Sequence, residues 1–197
     1  MKSVIMLAFH TWDPGFFMNI VSPQWRGYGL HPPGEKIEGY YLAHEVMTNK
    51  AWLLVDFLWK RGYEARPSTA LPNKTAAIQC GLGCQGKNTL LVTPDHGPRV
   101  SLISLLTTAK LDTDSPFEED LCGDCDRCIK ACPTKALKPY TIEMQRCMTY
   151  SVESPESPDV PEDVREKERR LVPRPTSNSY IECATCITVC PIGKPRD

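Results

Sequence analysis

Cys122, Cys125, Cys128 and Cys132, the last followed by Pro133, are spaced C-x2-C-x2-C-x3-C-P. In that pattern three thiolates wrap one iron-sulfur cubane and the fourth, just before proline, reaches a second cluster. Near the C-terminus Cys183, Cys186 and Cys190, followed by Pro191, repeat the pattern with one ligand missing, so a complete second cluster must borrow a thiolate. Cys147, within Gln145-Arg146-Cys147-Met148, is the donor the sequence offers. The spacing therefore predicts one [4Fe-4S] cluster on Cys122, Cys125, Cys128 and Cys190, and another on Cys132, Cys147, Cys183 and Cys186. Of the ten cysteines, Cys80 and Cys84 are left over.

Two other uses of the cysteines fit the sequence less well. A disulfide scaffold suits short secreted chains, whereas this one has 197 residues and cysteines too closely spaced to staple distant segments. Zinc knuckles seldom need the fourth, offset cysteine. Thiolate ligands favour a reducing compartment, so the expected location is the cytoplasm. Net charge is −1, with no basic excess to attract polyphosphate, so no nucleic-acid partner is expected. The apolar run Val4 to Phe9 is too short for a membrane helix or a signal peptide and reads as a central, doubly buried strand; no membrane association is expected.

The elements that must position these cysteines follow from pattern. Residues 10 to 37 mix Trp12, Trp25 and several Gly and Pro residues, which predicts an ordered aromatic lid or pocket wall. Tyr41, Met47, Ala51, Leu54, Val55 and Leu58 recur at helical spacing between about Glu38 and Arg61, and Gly62 stands where a left-handed cap would end the helix. Tyr40 and Tyr41 open that helix, either as packing residues or, at a pocket, as acids.

A short strand over Tyr63 to Arg66 and a helix over Asn73 to Gln79 come next. Gly81, Gly83, Gly86, Lys87 and Asn88 nearly satisfy two phosphate-loop patterns, but the loop follows a helix and enters a strand, the wrong context for a nucleotide. Asp95 to Pro98 is a turn expected to pair Leu90–Thr93 with Arg99–Thr107. Arg99, at its end, is read as a surface ion-pair residue or as a pocket residue. Composition turns acidic and polar over Asp112 to Asp120, placing a domain boundary there: 1–112 and 113–197. Ser151 to Pro161 reads as an exposed excursion and Pro161 to Leu171 as a surface helix.

The glycine segment from Gly81 to Asn88, its continuation through Thr93-Pro94 to Arg99-Val100, and the cysteine runs downstream together resemble the iron-sulfur half of the reductive dehalogenase and epoxyqueuosine reductase superfamily, weakly before Tyr40 and most closely from Gly81 onward. The resemblance implies an α/β (α+β) fold: a truncated nitroreductase-like domain carrying base-off cobalamin, then a ferredoxin-like two-[4Fe-4S] domain. Carried over, Gly81, Leu82, Gly83, Cys84, Gly86, Lys87 and Asn88 would lie against the corrin. Tyr40 or Tyr41 with Arg99 would match the dehalogenase proton-donating pair. The chain is much shorter than members of either family. The stretch Arg66 to Lys74 has no aspartate where the queuosine enzyme's acid is expected, which speaks against queuosine synthesis. Cys84 is either a small packing residue or a cobalt-facing, redox-active group.

The function expected is that of a redox protein passing electrons through two [4Fe-4S] clusters to cobalamin or another corrinoid, with a donor such as ferredoxin or flavodoxin and with homo-oligomerisation possible. The alternative is an electron carrier or reductive activator for a partner corrinoid protein, with no substrate of its own.

Overall fold

The computed structural model describes residues 1–11, 13–23, 25–27, 39–68 and 70–193. Trp12 and the Gly29 to Gly34 part of the expected aromatic lid lie outside these residues.

Strand β1 (Ser3–His10) fulfils the expected strand at the N-terminus, but it is an edge: the three-stranded sheet has the order β1-β7-β4, with β7 (Val100–Thr107) central and antiparallel to both neighbours. Its failure to alternate has another cause. Ile5, Leu7 and Phe9 pack on the core beneath helix α1 (Leu42–Trp59), while Met6 joins Ala77 and Leu91 on the opposite face. Covered faces, not a central position, make a strand apolar throughout.

Strands β2 (Met18–Val21) and β3 (Gly39–Tyr41) lead into α1. The helix lays Met47, Ala51, Val55 and Leu58 on Ala65, Ile103 and Leu105, the helical face the sequence marked. It stops where Gly62 takes φ +81, and the Tyr63 N–H donates back to the Leu58 carbonyl at 3.1 Å.

Strand β4 (Ala65–Ser68) and helix α2 (Asn73–Gln79) follow. The glycine segment then forms a tight hairpin of β5 (Cys84–Gln85) with β6 (Leu91–Val92), so β6 is not the partner of β7. The turn expected at Asp95 to Pro98 does close, through two hydrogen bonds between Thr93 and Gly97 at 3.0 and 2.9 Å, but its arms part company. One returns to the glycine hairpin and the other enters the large sheet.

Beyond the exposed run 111–120 lie helix α3 (Arg127–Ala131), the hairpin β8 (Leu137–Lys138) and β9 (Thr141–Ile142), and a 3-10 turn at Met144–Arg146. Helix α4 (Met148–Glu153) occupies the start of the segment expected to be an excursion, because Met148 and Val152 bury themselves against Val164 of helix α5 (Glu162–Leu171) and Tyr180. The chain ends with strand β10 (Ser179–Ile181) and helix α6 (Thr185–Thr188). Strand β10 pairs with β2, which pairs with β3, so this sheet crosses the division expected at 112/113. Its register sets Ser179 opposite Ile20, and Asn19 opposite Tyr41.

Candidate metal centre

The fold gathers the eight cysteines into two quartets. Cys122 and Cys125 lie in the turns ahead of α3, Cys128 in its first turn, and Cys190 just past α6; together they line one narrow cavity. Cys132 follows α3, Cys147 caps α4, and Cys183 and Cys186 flank the start of α6; these four line a second cavity of about 370 Å³. The ligand swap implied by the two C-P dipeptides is geometric: the short helices α3 and α6 pack together, so the last cysteine of each run faces the other run's cavity.

All ten cysteines are free thiols. Among the described residues no three His, Cys, Asp or Glu side chains converge on a single ion. Four soft donors spaced around a void fit a cubane.

Burial pushes the Cys128, Cys147 and Cys190 thiols up, and burial plus the neighbouring thiols of Cys183 and Cys147 raises Cys186 to about 12. Thiolates at such sites need a compensating positive charge, which the iron of a cluster would supply. Donors already point at the sulfurs. The Lys87 N–H donates to Cys122 Sγ at 3.4 Å, and the Ala136 N–H to Cys132 Sγ at 3.3 Å. Hydrogen bonds to cluster sulfurs are among the factors that set reduction potential.

The glycine segment is not an open cradle for a flat ring. A Cβ on Gly83 would strike the Val92 carbonyl, and one on Gly86 would meet the Val92 and Asn88 side chains, so the hairpin's own atoms fill the space the missing side chains leave. Of the residues expected against a corrin, Gly81, Leu82, Gly83, Cys84, Gly86, Lys87 and Asn88, only Asn88 lines the wide cavity. The segment serves the cysteines instead. Besides its N–H, Lys87 sends its ammonium to the Gly123 carbonyl, and Asn88 Nδ2 donates to the Cys186 carbonyl at 3.4 Å. Asn88, 4% exposed, lines both cavities.

Arg99 does not face the wide cavity either. Its guanidinium donates to the Ile187 and Cys190 carbonyls, both at 3.2 Å, and to the Ile192 carbonyl, clamping the segment that carries Cys190. Tyr40 is 57% exposed on β3, whereas Tyr41 lines the wide cavity, so no Tyr–Arg pair forms there. Cys84 is buried on the outer side of the first quartet, lining a shallow hollow with Asp120 and Tyr140, and Cys80 caps α2.

Sequence reasoning passed over three residues of the wide cavity: Lys74, Glu153 and Glu182. Glu182 accepts from Asn19 Nδ2 at 2.8 Å. Burial, together with the charge of Glu182, pushes Glu153 up to about 7. A signal was present: Glu182 directly precedes Cys183, and Glu153 ends the short helix that Cys147 begins.

Comparison with known proteins places this geometry. Residues 121–193 match the 4Fe-4S double cluster binding domain. The epoxyqueuosine reductase of Bacillus subtilis is 32% identical over 160 residues, covering 78% of this chain and 39% of that protein. A crystal structure of epoxyqueuosine reductase with an epoxyqueuosine-modified tRNA stem loop superposes with TM-score 0.64 at 25% identity, covering 98% of this chain and 48% of that one. A reductive dehalogenase shares the fold at TM-score 0.54 and 20% identity, over 74% of this chain and 20% of its own. The chain thus spans about two fifths of the curated relative. The tRNA-bound relative runs against the expectation that nucleic acid plays no part. The chain is thus similar in sequence to epoxyqueuosine reductases and shares its fold with a reductive dehalogenase, and residues 121–193 match the double-cluster iron-sulfur domain.

Proposed function

We propose that this chain is the electron-delivering part of a reductase of the epoxyqueuosine reductase type, holding one [4Fe-4S] cluster on Cys122, Cys125, Cys128 and Cys190 and another on Cys132, Cys147, Cys183 and Cys186. The observation that carries this reading is the separation of the eight cysteines into two cavities that share Asn88 as a common wall. Two clusters on either side of that wall would pass single electrons from one to the other. The narrow cavity is the entry side, for a donor such as ferredoxin or flavodoxin. The wide one, lined by Tyr41, Lys74 and Glu153, is the exit side.

The filled glycine segment favours the carrier reading, in which the electron acceptor docks at the wide cavity from outside. Tyr41 in that cavity favours a second reading, in which the acceptor is the corrinoid the resemblance implies, supplying a reducible cobalt. Anaerobic titration of the reconstituted protein with cob(II)alamin, followed by electron paramagnetic resonance, separates them: a base-off signal supports the corrinoid, and an unchanged signal supports the carrier. The relative's tRNA extends to this chain as the substrate class to test, by gel shift with an anticodon stem loop. Binding would place the chain on the substrate side of the reaction; no shift would confine it to electron delivery.

A further inference from the structure

We propose that Glu153 is the proton-exchanging group of the wide cavity, taking up one proton from solvent as one electron from an external one-electron donor enters the Cys132, Cys147, Cys183 and Cys186 quartet, and releasing it into the cavity when the electron leaves. This rests on the double-cluster reading above. The placement is specific. Glu153 ends the six-residue helix that Cys147 caps, and it lines the cavity that all four of those cysteines line.

The charged and titratable surroundings leave the carboxyl without a counter-charge. On the β10 side stands Glu182, a like charge held by Asn19 of β2. Arg165 of α5 is turned away onto the carbonyls of Ser151, Ser154 and Ser157. Lys74 of α2 lines the same cavity but gives its ammonium to the Thr89 carbonyl at 3.0 Å. Tyr41 and Tyr150 are the remaining titratable groups in the wall besides the thiols. Among the described residues no donor holds the Glu153 carboxyl.

Burial and Glu182 raise its affinity for a proton to the neutral range, and negative charge added to the quartet raises it further. A group poised near neutrality beside an electron site is matched to proton exchange at working pH.

The test is a potentiometric titration of the holoprotein at several pH values, reading each cluster's spectrum separately. The wild-type potential of the second cluster should fall as pH rises through neutrality, by at most about 59 mV for each tenfold fall in proton concentration. The first cluster should not move. Glu153→Gln should flatten the slope, and Glu153→Asp should keep a slope with its bend displaced. A flat wild-type profile, or a slope that survives in Glu153→Gln with both clusters loaded, overturns the proposal. Should Glu153→Gln fail to load, the Glu153→Asp bend decides: displaced supports, unmoved overturns. Failure of the wild type to load two clusters would instead sink the cluster reading on which the proposal stands.

Discussion

Cys147 is the residue on which the ligand assignment turns. It comes from outside both C-P runs, yet it lines the same cavity as Cys132, Cys183 and Cys186. Cys147→Ala should remove about four of about eight irons per chain and leave the spectrum of the other cluster intact, which iron analysis and electron paramagnetic resonance would check. A variant that keeps all its iron would refute the borrowed ligand. The cysteines were legible in sequence because cubane ligation imposes fixed spacings. Arg99 was not, because its partners are backbone carbonyls about ninety residues downstream that carry no side-chain signature. Arg99→Met leaves those carbonyls without their donor and should lower stability by roughly 2–3 kcal/mol in urea unfolding, with preferential loss of the cluster that includes Cys190. For Glu153 the folded-state proton affinity is raised, from 4.5 to about 7. Its stabilising contribution is therefore present below about 4.5 and lost as pH rises through about 7. Glu153→Gln should accordingly gain stability over wild type at pH 8, on the order of 3 kcal/mol at most, and gain none near pH 4. Thermal unfolding at the two pH values reads the difference.

The elements show which sequence signals survive folding. Helix α1 could be read along its buried face and at its C-terminal end, since one apolar face and a terminal glycine are local facts, but Tyr40 and Tyr41, expected to open it, lie in β3 instead. The strand pairing after Gly81 could not. Leu90–Thr93 and Arg99–Thr107 look like two arms of a hairpin, but Gly83 lets the backbone of β5 approach Val92 so closely that β6 turns to β5 instead. Two glycine substitutions separate close approach from backbone strain. Gly62→Ala adds a side chain into open space at φ +81 and should cost about 1 kcal/mol. Gly83→Ala drives a Cβ into the Val92 carbonyl and should cost more, on the order of 3 kcal/mol, with weakened loading of both clusters because Lys87 and Asn88 ride on that hairpin. Equal losses of thermal stability in the two variants would mean that the hairpin relaxes freely. The acid Glu153 escaped notice at this scale for a related reason: it ends a six-residue helix whose second half was read as exposed chain.

In the whole molecule the two parts the composition separates are stitched together. Strand β10 joins β2 and β3, and Val21 and Trp25 pack on the core of Met148, Val152, Val164 and Tyr180. A composition shift marks where chain character changes, and strand pairing over about 160 residues lies beyond its reach. The N-terminal elements supply walls of the wide cavity through Phe17, Tyr41 and Lys74, so the proposed exit side for electrons belongs to both parts. Among the described residues no helix is long and apolar enough to cross a membrane. The central claim is that this fold holds two cubanes, and the most direct test is the iron, zinc and acid-labile sulfide content of the anaerobically reconstituted chain. Two cubanes require about eight irons and eight sulfides per chain. Zinc without sulfide, or about four irons that resist mutation of one whole quartet, would contradict it.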